Sequence, residues 1–538
     1  MREGRPIIVG AGLSGLVAGA YLARAGREPL LLERSEQCGG LVQSFQRGGF
    51  SFDAGPRALG DAGILRPMLE DLGIELPLVK SLVSTGIRDE VVHFDHEGAT
   101  GEWLSSLGRL FPGQATAAAD LEPLVHTACR MARVLRRLPN PVFRNPTTDP
   151  GYLLGRFLPW LPSFLGVALR TGRDRRSIES ILDSLSADPS FKDMVCQHFF
   201  KGTPWHFALG YFENFQDYFY PVGGTGRLPA ALADFIRKAG GTIQTGREVV
   251  EVHPALRTLV DSSNNTHPYG DLIWAADLRS LYARLDRSGL PTGVLRRIQS
   301  EQQAFASARA GESVLSLFLA VDEPPESFRR ISHGHFIHTP QTEGLGDIHR
   351  GRLERIKAGF DEVPIGDLIG WIEDLCARSS YEISIPVLKD PSLAPAGKTG
   401  LVVSILCDGE FWELAARRGI EGELRDVAAQ AMLETLHGSP YPGLLSKLLF
   451  MVPATPQSLL KRFNTAAGAI TGWSLEDKPP VASSLTAVVS AVRTGIPRVL
   501  KAGQWSYSPS GVPVAILTGR LAAGAILRRT GSVRRTGS

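Results

Sequence analysis

Cysteine is scarce in this chain of 538 residues, which contains only five of them. They are widely spaced, at Cys38, Cys129, Cys196, Cys376 and Cys407. The odd number and the spacing exclude a zinc ribbon, a CxxC redox pair and a disulfide framework. We therefore expect five free thiols in a reducing compartment. Only a short, charged segment precedes the first apolar run, so we predict no secretory signal and a cytoplasmic location.

Excess charge and long apolar runs are lacking too. The 58 basic and 55 acidic side chains leave a net charge of +3, which is too small to favour a nucleic acid partner. No uninterrupted apolar run reaches the length of about 20 residues that a transmembrane helix needs. The nearest approach, residues 151–169, contains Arg156, Pro159 and Pro162. We therefore predict no membrane-spanning helix.

Motifs for a metal site or a catalytic nucleophile are also missing. No GxSxG nucleophile elbow has a supporting strand and helix around it. Histidines are close together in HGHFIH at residues 333–338, where the alternation predicts a strand with His333 and His335 on one face. No acidic residue or cysteine is near them in sequence, so we expect no metal there.

The chain does contain a glycine-rich turn near its start. The apolar run of IIVGAGLSG at residues 7–15 leads into Gly10, Gly12 and Gly15, and a helical pattern follows. In this GxGxxG spacing the first glycine permits a tight turn, the second lets the backbone approach a pyrophosphate, and the third lets the helix pack on the strand. The helix N-terminus presents free N–H groups to the phosphates. The segment therefore predicts a dinucleotide site.

An acidic residue follows at the distance that such a site requires. A second apolar run, EPLLLER, leads to Glu33, which lies 18 residues after Gly15. A carboxylate there accepts a hydrogen bond from a ribose 2′-hydroxyl and repels a 2′-phosphate, which disfavours NADP. These residues alone leave NAD and FAD open.

The next segment carries a resemblance to a known family. Residues 33–57 contain a Gly-Gly pair at Gly39–Gly40 and FDAGP at residues 52–56, and they resemble the FAD-binding start of the amine oxidase and phytoene desaturase superfamily. Amine oxidases usually carry Arg after the Gly-Gly pair, where this chain has Leu41. The pattern GGxxxSF, with Ser44 and Phe45, is more similar to the branch of carotenoid desaturases, carotenoid isomerases and retinol saturases. The resemblance implies FAD as the cofactor.

Later segments extend the resemblance over nearly the whole chain. Residues 220–229, YPVGGTGRLP, and residues 384–400, SIPVLKDPSLAPAGKTG, are similar to segments of the same branch. Residues 502–526 resemble its C-terminal FAD motif, with Gln504 in place of an acid. An amide oxygen can still accept a hydrogen bond from the ribityl chain. In the family, backbone at the position of Val249–Val250 meets the adenine end of FAD.

Together these segments imply one cofactor site. The residues that the resemblance assigns to FAD are Gly10, Gly12, Leu13, Ser14, Gly15, Glu33, Arg34, Gly39, Gly40, Leu41, Pro56, Arg57, Val249, Val250, Gly503, Gln504, Val512 and Pro513.

The order of the segments predicts an α/β protein with a discontinuous Rossmann-like FAD-binding domain formed by residues 1–80, 220–280 and 480–527. Residues 281–479 are expected to form a mixed-sheet substrate domain, because 313–322 and 401–406 read as short buried strands. Residues 81–219 are expected to form a helical substrate-access region. Residues 528–538, rich in Arg, Ser and Gly, are expected to be a flexible tail.

The helical region also contains a stretch whose composition bears on membrane attachment. The apolar stretch 151–169 includes Trp160 and Phe164, and arginine-rich stretches flank it. This composition is typical of a helix that lies in a membrane surface, and the resemblance implies enzymes that take lipophilic substrates from membranes. An ordinary pair of core helices with a solvated basic face explains the pattern equally well. Peripheral membrane attachment therefore stays open.

Aromatic residues are concentrated just before the YPVGG segment, at residues 198–220. Aromatic walls suit a long conjugated or isoprenoid substrate. The side chains expected to line a substrate cavity are Trp205, Phe207, Tyr211, Phe215 and Tyr218. The same stretch offers His198, His206, Glu213 and Asp217 as acid–base candidates. The resemblance carries over no universal catalytic side chain, so none is assigned.

We interpret the chain as an FAD-dependent oxidoreductase acting on carbon–carbon bonds of a hydrophobic polyene or isoprenoid. Desaturation, saturation and cis–trans isomerisation stay open, and the sequence names no electron acceptor or donor. One alternative is an amine-oxidase-like enzyme for a small substrate. Another is a flavin- or lipid-binding relative without catalytic activity, which the uncharged Gln504 would suit.

Overall fold

The computed structural model describes residues 4–144 and 148–529, which form an α/β fold with two large sheets. Of the tail predicted for residues 528–538, residues 530–538 lie outside the described residues. Arg528 and Arg529 are helical, because they end the last helix.

The strands are β1 (Ile7–Val9), β2 (Leu30–Leu32), β3 (Ser44–Arg47), β4 (Phe50–Asp53), β5 (Leu59–Gly60), β6 (Leu78–Lys80), β7 (Val83–Ile87), β8 (Glu90–His93), β9 (Tyr218–Pro221), β10 (Thr242–Gln244), β11 (Val249–His253), β12 (Thr258–Asp261), β13 (Thr266–Pro268), β14 (Leu272–Trp274), β15 (Ser313–Val321), β16 (His335–Thr339), β17 (Tyr381–Ser384), β18 (Thr399–Cys407), β19 (Leu448–Ala454) and β20 (Val499–Lys501).

The helices are α1 (Leu13–Arg24), α2 (Leu65–Leu72), α3 (Ala99–Leu110), α4 (Ala115–Arg136), α5 (Pro150–Tyr152), α6 (Leu158–Arg173), α7 (Ile178–Asp183), α8 (Pro189–Cys196), α9 (Trp205–Leu209), α10 (Tyr211–Asn214), α11 (Arg227–Lys238), α12 (Leu278–Ala283), α13 (Thr292–Ala306), α14 (Pro325–Arg329), α15 (Leu353–Ala358), α16 (Ile365–Arg378), α17 (Gly409–Arg418), α18 (Glu421–Gly438), α19 (Leu444–Lys447), α20 (Pro456–Phe463) and α21 (Val512–Arg529).

A five-stranded parallel sheet, in the order β10-β2-β1-β14-β20, carries the glycine-rich turn. Its strands come from the three separated stretches that the sequence assigned to nucleotide binding. The strands are short and apolar because helices cover both faces of a parallel sheet. Helices α1, α11 and α21 pack on the face carrying Ile8 and Leu31, and α12 and α13 pack on the face carrying Val9 and Leu32.

A seven-stranded mixed sheet, in the order β19-β15-β18-β17-β16-β7-β8, forms the second layer. The buried strands predicted at 313–322 and 401–406 are confirmed as β15 and β18, which pair antiparallel. One face of the sheet, with Leu317 and Ile383, packs against α16 and α18. The other face is therefore free to meet the segments that come from the nucleotide-binding half of the chain.

Helices dominate residues 99–214 of the region 81–219 that was predicted to be helical, whereas its first part forms the strands β7 and β8. A π-helical turn, Leu153–Phe157, joins α5 to α6 and makes one helical segment of Pro150–Arg173. All five cysteines are free thiols, and Cys38 alone among them is partly exposed. The boundaries of the predicted domains stay predictions.

A buried carboxylate joins the start of the chain to the YPVGG segment. Asp53, which is 1% exposed, accepts hydrogen bonds from the hydroxyls of Ser44 (2.7 Å) and Tyr220 (2.6 Å). It also accepts from the backbone N–H (2.8 Å) and the hydroxyl (2.9 Å) of Thr225. Burial and the charge of Asp53 raise the pKa of Tyr220, so the phenol stays a donor. The carboxylate thus fixes β4 against β9 and the glycine loop that follows β9.

We expect Asp53→Ala to lower the free energy of unfolding by about 3 kcal/mol or more, because buried donors that lose their acceptor are each costly. The exposed Asp361→Ala variant is the matched control and should unfold as the wild type does. Denaturant unfolding followed by circular dichroism measures both. Equal midpoints for the two variants would contradict this role of Asp53.

Candidate active site

The predicted dinucleotide turn is present between β1 and α1. Gly10 has a φ of +96°, and a Cβ there would lie 2.9 Å from the carbonyl oxygen of Ala275. A Cβ on Gly15 would collide with the carbonyl oxygen of Gly10. Gly12 is the N-cap of α1, so Leu13 and Ser14 open the first helical turn. The turn is tight because both positions lack side chains, and α1 directs its N-terminal N–H groups to the space in front of it.

Glu33 lies directly after β2 and is held in front of this turn. The backbone N–H of Ala11 donates to its Oε2 (2.7 Å), and the N–H of Ser35 donates to its Oε1 (2.9 Å). Each carboxylate oxygen can accept a further hydrogen bond. The carboxylate therefore suits a ribose hydroxyl pair.

The segment that the resemblance assigns to the adenine end of FAD lies beside Glu33. Arg247 N–H donates to the carbonyl oxygen of Glu33 (2.8 Å), which brings residues 247–250 beside it. Val249 is 3% exposed and Val250 is 40% exposed. The guanidinium of Arg34 donates to the carbonyl oxygen of Arg462 (3.0 Å).

A second glycine loop faces the first. Gly39 N–H donates to the carbonyl oxygen of Ala11 (2.8 Å), and Gly12 and Gly39 form a parallel bridge. A Cβ on Gly40 would lie 3.1 Å from the Cα of Gly12. Side chains at these positions would fill the gap between the two loops. The backbone cradle that results fits a pyrophosphate, so the residues present suit FAD.

The C-terminal segment closes the site from the other side. Gly503 has a φ of +96°, and a Cβ there would lie 2.8 Å from the Ser14 hydroxyl oxygen. Its N–H donates to the Thr518 hydroxyl (3.0 Å), which ties Gly503 and Gln504 to α21. A Cβ on Gly519 would collide with the carbonyl oxygen of Ser14, so α21 packs closely on α1. Val512 and Pro513 begin α21, whose N-terminus is the positive end of its dipole.

The same helix start meets the aromatic segment. A Cβ built on Gly60 would lie 3.5 Å from the Tyr218 ring and 3.9 Å from the Pro513 ring. Tyr218 and the N-terminus of α21 are therefore neighbours. Gly60 thus lies next to one residue of the predicted cofactor site, Pro513, and one of the predicted substrate site, Tyr218.

A polar cluster that sequence reasoning missed, with two buried and two half-buried members, lies beside Tyr218. It consists of Arg57, His335, Glu382 and Lys389. His335 Nε2 lies 3.0 Å from Glu382 Oε1, and the imidazole of His335 stacks on the Tyr218 ring with centroids 5.7 Å apart. Lys389 Nζ donates to the carbonyl oxygen of Arg57 (2.7 Å) and to the Ser384 hydroxyl (2.8 Å).

The ionisation states of the side chains in this polar cluster depend on one another. Burial alone would raise the pKa of Glu382, but the hydrogen bond with His335 and the positive charges of Arg57 and Lys389 lower it to about 2. Burial lowers the pKa of Lys389 to about 7. Burial also lowers the pKa of His335, so at neutral pH a neutral imidazole donates to the ionised carboxylate.

The five aromatic residues predicted to line a cavity occupy different surroundings. The Tyr211 ring lies 6.2 Å from the Tyr218 ring and 5.9 Å from the Phe207 ring, and Phe207 is 37% exposed. Trp205 and Phe215 are buried in the core of the helical region. Tyr218, whose ring stacks on His335, contacts the polar cluster, and the lining role of all five stays a prediction.

The acid–base candidates from the aromatic segment mostly have structural partners. The carboxylate of Glu213 pairs with Arg133 (2.8 Å) and with Arg136. Asp217 accepts from the backbone N–H of Ala62 (2.7 Å). Burial lowers the pKa of His198 to about 4. Over the described ranges 4–144 and 148–529, no group of three or more His, Cys, Asp and Glu side chains could hold a metal.

A comparison with models of protein families identifies the family of this chain. The model of the family described as flavin containing amine oxidoreductase matches residues 13–527. The chain belongs to this family. It is therefore an oxidoreductase with FAD as its cofactor, and the glycine cradle and Glu33 described above fit that group.

Several curated relatives of this flavin amine oxidoreductase act on polyenes by name. All-trans-retinol 13,14-reductase of Macaca fascicularis is 24% identical, over 97% of this chain and 85% of that protein. Phytoene desaturase (neurosporene-forming) of Rhodobacter capsulatus is 23% identical, over 97% of this chain and 93% of that protein. Chloroplastic prolycopene isomerase 2 of an Oncidium hybrid cultivar is 24% identical, over 84% of this chain and 72% of that protein.

Solved structures share the fold. A putrescine oxidase redesigned in its cofactor binding superposes with a TM-score of 0.61 at 15% identity, covering 98% of this chain and 99% of that one. Reduced UDP-galactopyranose mutase superposes with a TM-score of 0.53 at 12% identity, covering 99% and 94%. At these identities the likeness concerns the fold alone.

We expect Gly15→Ala to abolish FAD binding or to lower the bound FAD by at least about tenfold, because the new methyl group pushes α1 off the turn. Gly101→Ala is the matched control, since Gly101 also lies in a helix, α3, with no atom within 4 Å of a Cβ. The ratio of flavin to protein absorbance after purification measures both. Full FAD content in Gly15→Ala would contradict the assignment of this turn.

Proposed function

We propose that the protein is an FAD-dependent oxidoreductase that acts on carbon–carbon bonds of a hydrophobic polyene or isoprenoid. The observation that carries the proposal is the position of Gly60 beside both the Tyr218 ring and the Pro513 ring, which brings the aromatic segment close to the start of the C-terminal helix α21. The names of the curated relatives support the same class of substrate. Bound FAD supplies the acceptor or donor of a hydride.

In this proposal the protein holds FAD with the eighteen residues that the resemblance assigned, from Gly10 in the first turn to Pro513 in the last helix. Glu33 accepts from the ribose, and the loops with Gly12 and Gly39–Gly40 approach the pyrophosphate. Arg57 lies where the cofactor site and the polar cluster meet. The five aromatic residues orient the polyene and exclude water from it.

The charges of the polar cluster disfavour a protonated amine as substrate. Arg57 is positively charged, and Lys389, with a pKa of about 7, is partly so at neutral pH. An ammonium group next to Glu382 would meet these cations as well as one carboxylate. Like charges at short range repel, most strongly where water is excluded.

We expect FAD-loaded protein to shift the absorption bands of all-trans-retinol under reducing conditions, or of phytoene under oxidising ones, because a change in conjugation moves these bands. The Gly15→Ala variant, which should lack FAD, controls for contaminating enzymes. Chromatography of the extracted polyenes identifies the product. Unchanged polyenes together with hydrogen peroxide release from putrescine would favour the amine-oxidase-like alternative instead.

We further propose that the helical segment Pro150–Arg173 attaches the protein to a membrane surface. Leu154, Leu158, Leu165 and Leu169 are 65%, 45%, 46% and 60% exposed. Their spacing of four, seven and four residues puts them on one face of the helix. We call them the leucine stripe.

Length and charge support an interfacial position for this segment. It has 24 residues, and its 18-residue apolar window has a mean hydropathy of 1.3, which by length and composition would suffice to cross a membrane; 17% of that window is buried. Arg156, Arg170 and Arg173 project from the same segment and are exposed. An apolar stripe with neighbouring arginines fits anionic lipid headgroups above an apolar layer.

We expect Leu158→Ser/Leu165→Ser/Leu169→Ser to weaken vesicle binding by about tenfold or more, because each leucine buries apolar surface on binding. Sedimentation with phosphatidylcholine–phosphatidylglycerol vesicles measures the bound fraction. Leu256→Ser/Leu449→Ser, which changes leucines that are 74% and 44% exposed elsewhere, is the matched control. Wild-type protein that stays in the supernatant, or that covers the stripe by dimerising, would contradict the proposal.

A further inference from the structure

Glu382 is an ionised side chain at an unusual place in the fold. It lies on β17, an interior strand between β16 and β18. Its neighbours along the strand, Tyr381 and Ile383, are 0% exposed in the core on the other face. Glu382 nevertheless keeps 46% of its side-chain surface accessible. The charges of Arg57 and Lys389 act on it, and its partner His335 stacks on Tyr218, so this accessible surface opens into the space beside Tyr218, which we call the cavity.

One oxygen of the Glu382 carboxylate has a hydrogen-bond partner in the protein, and no described residue donates a hydrogen bond to the other. His335 occupies Oε1 at 3.0 Å. Within residues 4–144 and 148–529, no hydrogen bond reaches Oε2. An apolar chain packed against that oxygen would remove its water and give no hydrogen bond in exchange, which is costly for a charged group. A ligand that fills this cavity therefore needs a hydrogen-bond donor at this point.

The surrounding charges limit the chemical class of the ligand's hydrogen-bond donor. Arg57 and Lys389 both act on the Glu382 carboxylate. An added ammonium would be repelled by both of them, and a carboxylate ligand would be repelled by Glu382 itself. A neutral hydroxyl group donates to Oε2 without adding charge.

The donor site is also rigid. The His335 ring lies parallel to the Tyr218 ring, at an interplanar angle of 8°, and the strand pairing of His335 with Ser384 fixes β16 next to β17. Tyr218 in turn lies beside Gly60, whose other neighbour is Pro513 at the start of α21. A hydroxyl bound by Glu382 therefore lies at the end of the cavity that faces the cofactor site.

We propose that Glu382, oriented by His335, accepts a hydrogen bond from a hydroxyl group of the substrate, so that the substrate is a polyene alcohol rather than a polyene hydrocarbon. The inference rests on the proposed function, and it names a specificity-determining residue for it.

The test compares all-trans-retinol with its methyl ether, which has the same polyene chain but no hydroxyl proton. Binding to FAD-loaded protein is followed by the change in the flavin absorption spectrum, without oxygen and without turnover. We expect retinol to bind about tenfold or more tightly than the ether, as a hydrogen bond to a charged group predicts. All-trans-retinylamine should bind more weakly than retinol.

Variants separate the carboxylate from general damage to the fold. Glu382→Gln should reduce the preference for retinol, and Glu382→Leu should abolish it while binding the ether more tightly than the wild type does. A misfolded variant cannot gain affinity, so the last result identifies the carboxylate. The exposed Glu423→Gln on α18 is the matched control and should keep the full preference.

Two results overturn the inference in different ways. Equal affinities for retinol and the ether in the wild type, or an unchanged preference in Glu382→Leu, would remove the hydroxyl site and leave the polyene proposal standing. No binding of either compound to the FAD-loaded wild type would overturn the proposed function, and the hydroxyl site with it. The comparison of retinol with its methyl ether on the wild-type protein tests the inference even where a variant fails to fold.

Discussion

The buried carboxylate of Asp53 is the constraint on which the arrangement of the site depends. It gathers four hydrogen bonds from Ser44, Tyr220 and Thr225, which belong to segments more than 160 residues apart in the chain. A buried charge is tolerated only where donors satisfy it, so these segments have one way to fit together. The glycine loop after β9, the strand β4 and the start of the FDAGP segment are thereby fixed to one another, and Arg57 follows directly.

Close backbone approach is the second constraint, and it explains why a cofactor can lie here. The loops with Gly12 and Gly39–Gly40 face each other without side chains, and the packing of α21 on α1 needs a glycine at Gly519. The nucleotide-binding half of the chain is discontinuous because a parallel sheet takes neighbouring strands from distant parts of the chain. The family assignment and the geometry of the cradle agree on FAD.

The polar cluster beside Tyr218 gives the cavity its chemical character. Aromatic walls alone would accept any long apolar molecule. In our proposal, the carboxylate of Glu382, the neutral imidazole of His335 and the two neighbouring cations distinguish among head groups by charge and by donor capacity. On that proposal the same residues disfavour an amine and favour a neutral hydroxyl.

The sequence by itself determined the local features. The glycine turn, Glu33, and the strands β15 and β18 were predictable because short-range sterics and apolar patterning decide them. The pairing partners of the histidines were not predictable. His333 and His335 were expected on one face of a strand, yet β16 begins at His335, which meets Glu382, while His333 Nε2 lies 3.1 Å from Asp95. In the sequence, Glu382 is a single polar residue in a short strand. Only the tertiary structure brings it near Arg57 and Lys389, because Arg57 lies far away in the chain and no local sequence pattern predicts that these residues meet.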